Sequence, residues 1–165
     1  EGRGRAPEYV ATVTKCYREA IDSIADGTYS EEKVVEWMKQ LETVYNRGFW
    51  GGYYLGQELG EWSAENGSAA TQKKVYIGKG RHFYPKSNIA EFLIEAYDLT
   101  VGDKVLIQGP TTGSQEMILE SMKVDQKPDS DKATKADVVT FKTTFKVRPS
   151  DKLYKIVATE LKSQT

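Results

Sequence analysis

The sequence predicts an α+β fold: an N-terminal helical hairpin followed by a small, mainly antiparallel six-stranded β-barrel. Three observations point there. Up to residue 46, apolar residues recur at intervals of three and four. From Gln72 onward the interval becomes two. Clusters of turn-forming residues then cut the second part into short pieces. At 165 residues the chain can bury the core of one ordinary domain or of two small ones.

In the first helix, from Pro7 to about Ala25, the residues Val10, Val13, Tyr17, Ile21 and Ile24 share one face. Pro7 suits a first helical turn because it has no N–H to leave unpaired, and Asp26-Gly27 suits the stop. Ser30 is placed to cap a second helix, with Glu31 and Glu32 favoured by the positive end of its dipole. Tyr29 and Val34 occupy the positions of a hydrophobic staple. Val34, Met38, Leu41 and Tyr45 carry that helix to Asn46-Arg47-Gly48. Two helices alone are too small for a domain, and their apolar stripes need a third surface.

Residues 48–68, GFWGGYYLGQELGEWSAENGS, match neither period. They read as an extended segment packed on a partner surface, with Phe49, Trp50, Tyr53 and Tyr54 as the packing residues. The competing reading is an aromatic platform for bases or sugars. It lacks interleaved basic residues beyond Arg47, so the packing reading is preferred.

Six strands are expected next. They lie around Val75–Ile77, Ala90–Ala96, Lys104–Gln108, Glu116–Val124, Val138–Val147 and Leu153–Val157, separated by turn signals such as Val101-Gly102-Asp103. Closing them into a barrel would remove exposed edges. The Thr-rich loop Gly109–Gly113 resembles a phosphate cradle at first sight. It has no Lys, Pro110 removes a backbone donor, and a strand pattern follows it, so it reads as a hairpin bend. The domain plan is a hairpin over residues 1–47, a linker over 48–69, the barrel over 70–158 and a tail over 159–165.

Composition narrows the function classes. Residues 1–62 hold 7 Lys/Arg against 11 Asp/Glu, and residues 63–165 hold 16 against 13. The second part is only weakly basic, a thin signal for nucleic acid. No apolar run nears the roughly 20 residues that span a bilayer, so no membrane partner is expected. EGRGRAPEYV has no apolar stretch behind its charges and does not read as a secretory signal. One Cys excludes an internal disulfide and fits a reducing, cytoplasmic compartment. Cys16 lies in a helix and reads as a small core residue rather than a nucleophile.

No residue is marked as catalytic or metal-ligating; His82 is the single histidine. It sits in the densest basic and aromatic run, and Lys79, Arg81, His82, Phe83, Tyr84 and Lys86 are the candidate binding residues. Two readings stay open there. The run is either a solvated hairpin end or a contact for RNA phosphates, with Phe83 or Tyr84 stacked on a base.

At this point the residues carry a resemblance. YIGKGRHFYPKSNIAEFLIE, LTVGDKVLIQGPTTG and ESMKVD resemble the small barrel of elongation factor-like proteins, akin to the second domain of translational GTPases. VRPSDKLYKI fits too, with Ser150 where Gly is commoner. EGRGRAPEYVATVTKCYREAID and YSEEKVVEWMKQLETVYNRGFWGGYYLGQ resemble the bacterial collagenase-like peptidase family U32. Glu1-Gly2-Arg3 and Pro7-Glu8-Tyr9-Val10 match that family's motif, with Ala6 in place of Ser.

The resemblance implies that the chain is the C-terminal portion of a longer enzyme, a peptidase or a tRNA hydroxylase, and that its own upstream catalytic domain is a partner. It places the family's catalytic and iron–sulfur cysteines upstream of Glu1, so no cofactor is expected within this chain. A polypeptide substrate or a tRNA is the implied further partner. A noncatalytic binding module is the first expectation; a self-sufficient peptidase and a dimerisation domain are the competing ones.

Overall fold

The computed structural model describes residues 2–46, 49, 69–125, 127 and 130–159. The chain divides into two compact units, Glu1–Lys73 with Ala158–Thr165, and Lys74–Val157.

In the first unit a short 3-10 turn (Gly2–Gly4) precedes helix α1 (Pro7–Ala25) and helix α2 (Glu31–Glu42). Pro7 opens α1 as its missing N–H allows. At the other end Thr28 N–H reaches back to Ser23 O at 2.8 Å while Gly27 takes φ +67°. That is a Schellman-type stop. No atom lies near a Cβ built on Gly27, so the positive φ and not lack of room selects glycine. Ser30 Oγ accepts the Lys33 N–H to start α2. Tyr29 packs its ring against Trp37, with centroids 6.0 Å apart. Cys16 and Ser23 are the two buried residues of α1. Cys16 Sγ lies 4.0 Å from Trp37 O, and Trp37 Nε1 donates to Glu19 Oε2. The predicted stripe lies elsewhere on α1, and Tyr17, Ile21 and Ile24 are more than half exposed.

In the second unit the strands are β1 (Gln72–Tyr84, beginning just before the unit), β2 (Ile89–Ile94), β3 (Leu99–Thr100), β4 (Lys104–Gly109), β5 (Gly113–Ile118), β6 (Lys123–Val124), β7 (Lys132–Ala133), β8 (Val138–Lys142) and β9 (Lys152–Ala158). Seven form one sheet in the order β5-β4-β9-β1-β2-β8-β6, and β3 pairs with β7 in a small ribbon. Every pairing whose register is defined is antiparallel. The α+β class holds, with nine strands among the described residues instead of six and a ladder that ends at β5 and β6.

Particular contacts account for the extra strands. The expected strand over Glu116–Val124 breaks because Leu119 is tied into the preceding turn: its N–H bonds Asp103 O, and its carbonyl accepts from Gly102 N–H. The strand expected to reach Val147 stops at Lys142. There Thr143 N–H turns to Asn88 O, and the Thr143 hydroxyl to Phe145 O. Helix α2 stops at Glu42, short of Asn46, where the Thr43 hydroxyl bonds Gln40 O. The loop Gly109–Gly113 is a hairpin bend, with Gly109 paired opposite Gly113.

β2 alternates half-buried and buried residues along its length, as period two requires. Its inward side chains Ala90, Phe92 and Ile94 join Ile77, Val105, Ile107, Val139, Phe141 and Leu153 in one core. Phe92 and Phe141 stack at 5.0 Å with planes 6° apart. Two glycines let other chain segments touch β1. A Cβ on Gly78 would sit 1.9 Å from Leu93 O, and one on Gly80 would sit 2.7 Å from Arg148 O.

Candidate binding face

Pairing partners in an antiparallel sheet share a face, so the register fixes which side chains meet. On the outer side of β1, β2, β8 and β6 three rows follow. Lys79 lies opposite Leu93, and Leu93 opposite Val138. His82 lies opposite Glu91, Glu91 opposite Thr140, and Thr140 opposite Lys123. Tyr84 lies opposite Ile89, and Ile89 opposite Lys142.

Lys79 and His82 are three residues apart, an odd spacing that would ordinarily separate them. The register shifts between Gly80 and His82, leaving Arg81 as the extra residue of a β-bulge. The bulge brings Lys79, His82 and Tyr84 to one side, and Arg81 reaches the same side to pair with Glu91 at 3.6 Å. Lys79 pairs with Glu95 at 2.8 Å. The His82 ring stands edge-on to Tyr84 with centroids 4.5 Å apart, and the Tyr84 hydroxyl donates to Glu91 Oε2 at 3.3 Å. The Tyr76 hydroxyl donates to Glu95 Oε2.

Charge follows these contacts. Lys79, and after it Tyr76, hold the Glu95 carboxyl below the usual carboxylate range. Burial, aided by Glu95, pushes the Tyr76 hydroxyl up to about 12. At neutral pH the face therefore carries charges of both signs and a protonated phenol.

The predicted residues divide accordingly. Lys79, Arg81, His82 and Tyr84 come together. Phe83 turns to the opposite side, opposite Ala90, and packs against the core. Lys86 stands in the turn between β1 and β2. Phe49 is about half exposed, while Trp50, Tyr53 and Tyr54 lie outside the described residues. Sequence reasoning missed Glu91 and Glu95 as ion-pair partners. It also missed Lys123 and Lys142, which only the register brings to this face.

Among the described residues no group of three or more His, Cys, Asp and Glu is placed to hold a metal ion. An iron–sulfur cluster needs several thiolates. The buried Cys16 is the sole cysteine of the sequence, so its residues do not fit that cofactor. Among the described residues no helix is long and apolar enough to cross a membrane.

Over 155 residues, 94% of this chain, the sequence is 50% identical to a protein named collagenase from Porphyromonas gingivalis. A second collagenase sequence from that organism is 49% identical over 155 residues. An uncharacterized protease of Methanocaldococcus jannaschii is 38% identical over 157 residues. Residues 1–64 match Peptidase family U32. The resemblance carried by the Glu-Gly-Arg and Pro-Glu-Tyr-Val runs thus holds. The chain spans 37%, 43% and 38% of the lengths of these three relatives. Among solved structures, a C-terminal domain from a Geobacillus thermoleovorans protein assigned to the U32 peptidases aligns at 21% identity. It covers 48% of this chain and 90% of its own, with a TM-score of 0.45.

Proposed function

We propose that this chain is the noncatalytic, C-terminal recognition part of a U32-type protein, and that its β unit holds a polypeptide on the outer face of β1, β2, β8 and β6. The helical unit docks on the catalytic region through the exposed α1 stripe of Tyr17, Ile21 and Ile24.

One observation carries this reading: cations and carboxylates alternate across the face, Lys79 with Glu95 and Arg81 with Glu91. An RNA backbone presents one sign of charge repeatedly and would have to draw both cations away from their carboxylates. A polypeptide can answer both signs and lay apolar side chains over the half-buried Ile89, Leu93 and Val138. The name collagenase borne by two relatives also favours a polypeptide. RNA docking is the second reading. It is favoured by Lys86, Lys123 and Lys142, which form no ion pair among the described residues.

Anisotropy of a labelled gelatin fragment and of labelled tRNA, each titrated with the chain, separates the two readings. The polypeptide reading expects gelatin to bind and Lys79→Ala with Arg81→Ala to weaken it. A tRNA complex that loses about 0.9 of its log–log salt slope per lysine in Lys123→Ala and Lys142→Ala would replace it with the RNA reading. Binding of neither ligand refutes the face. Cleavage of fluorogenic gelatin by the chain alone would refute the noncatalytic role.

A further inference from the structure

The seven-stranded sheet ends differently on its two sides. On one side β6 is two residues long, and the chain folds back at once: Val124 bridges to Lys127, and Asp125 N–H bonds Val138 O. On the other side β5 runs for six residues, Gly113–Ile118, and among the described residues pairs only with β4. Alternate residues of an antiparallel strand turn their N–H and C=O away from the neighbour, so half of β5 points its backbone groups outward.

Edge strands are normally protected by Pro, a bulge, an unpaired charge or a covering segment. β5 has no Pro and pairs without a register shift. Its single charge, Glu116, is held by Lys104 at 2.6 Å. Successive residues of a strand point to opposite faces, yet Gln115 and Glu116 are both exposed, so both faces of β5 are open at its middle. Ile118 is 61% exposed on one side, and Met117 packs against the core on the other.

We propose that the outer edge of β5 is a docking site for an extended polypeptide segment, which joins the sheet as an added strand. Alternating donors and acceptors at strand spacing match a polypeptide backbone and no other biopolymer. The size of the edge then chooses between a peptide and a second copy of the chain. Six residues span about 20 Å, giving a contact on the order of 200–300 Å² per partner. A stable dimer needs about 800 Å² per partner, so the edge suits a peptide. The guest strand carries an apolar side chain where it passes Ile118, and a polar or basic one beside Ser114 and Glu116. This site stands apart from the face proposed above, and either can fail without the other.

The test is an NMR titration of the ¹⁵N-labelled chain with a peptide of sequence Lys-Val-Thr-Val-Thr-Val-Lys. A parallel titration uses the same peptide N-methylated at alternate residues. The expected result is that amides of Gly113–Ile118 shift and that their outward members exchange at least about tenfold more slowly with the unmodified peptide. N-methylation abolishes both effects, and Ile118→Lys weakens binding severalfold while the rest of the spectrum is unchanged. Equal binding of both peptides, shifts confined to the His82–Glu91 face, or no shift at about 1 mM peptide would overturn the proposal. A dimer of the unliganded chain in light scattering, broken by Ile118→Lys, would give the edge to a second copy and also overturn it.

Discussion

The double substitution Gly109→Ala with Asp151→Ala is expected to cost no more stability than Asp151→Ala alone. Asp151 is buried, and its Oδ2 accepts the Thr112 hydroxyl at 2.6 Å and the Arg148 N–H at 2.8 Å. Hydrogen bonds to a charged acceptor contribute about 1.5–3 kcal/mol each, so Asp151→Ala costs about 3–5 kcal/mol. A Cβ on Gly109 would lie 1.8 Å from Asp151 Oδ1 and 2.7 Å from its Cγ, with no nearer atom from any other residue. Gly109→Ala therefore forces the carboxylate aside, at the roughly 1–3 kcal/mol of an overpacked site. Once Asp151 is Ala the obstacle is gone, and the second methyl costs nothing further. The cycle should then show a coupling of about 2 kcal/mol, where independent sites add to within about 0.5 kcal/mol.

All three tryptophans precede Lys74 and none lies within Lys74–Val157, so calorimetry is the suitable assay. At about 6 °C per kcal/mol for a domain of this size, Asp151→Ala lowers the midpoint by about 20–30 °C. Additive midpoint losses in the double variant would refute the claim that Gly109 exists to make room for Asp151.

Three further outcomes are expected. Burial, and after it the Glu19 charge, push the Cys16 thiol above its ordinary range. A thiol reagent should therefore modify the folded chain at least about tenfold more slowly than the denatured one, and equal rates would contradict the burial. The Tyr76 hydroxyl, raised to about 12, holds its proton more tightly folded than unfolded. Its stabilisation is whole below pH 10 and is lost as pH rises toward 12. Tyr76→Phe should flatten that alkaline loss in denaturant unfolding, and an unchanged alkaline limb would count against it. Phe92→Ala removes one ring of the Phe92–Phe141 stack and should cost about 3–5 kcal/mol by denaturant midpoint. A loss under about 1 kcal/mol would mean the core collapses around the gap.

Much of this architecture was legible in the sequence because it rests on local rules. Pro7, Gly27 and Ser30 mark the helix ends through the backbone groups they lack, free or cap. The alternation of Ala90, Phe92 and Ile94 marks a strand because each must reach the same core. What escaped was set by partners distant in sequence. The strand expected around Val75–Ile77 runs on through Gly78 and Gly80 to Tyr84, since these glycines admit the carbonyls of Leu93 and Arg148. β3 and β7, two residues each, are too short to show a period. At the candidate face, the basic run from Lys79 to Lys86 was visible as composition. Its division between an outer face and the core depended on a register that no local pattern states. The carboxylates that answer Lys79 and Arg81 come from just beyond β2 and from within it, Glu95 and Glu91, and Lys123 and Lys142 join from strands roughly forty to sixty residues downstream.

The bulge at Arg81 gives β1 an unusual tolerance of length. Elsewhere in a strand, losing one residue turns every following side chain over and ejects the core. Here the pairing already steps from Gly80 opposite Phe92 to His82 opposite Glu91, passing over Arg81. Deleting Arg81 leaves that ladder in register, keeps Phe83 inside, and subtracts a single cation from the outer face. The position is a place where the gene can gain or lose a codon and retune the charge of the surface while the core beneath stays as it was. A deletion of Arg81 that fails to fold would show that the bulge does more than absorb a spare residue.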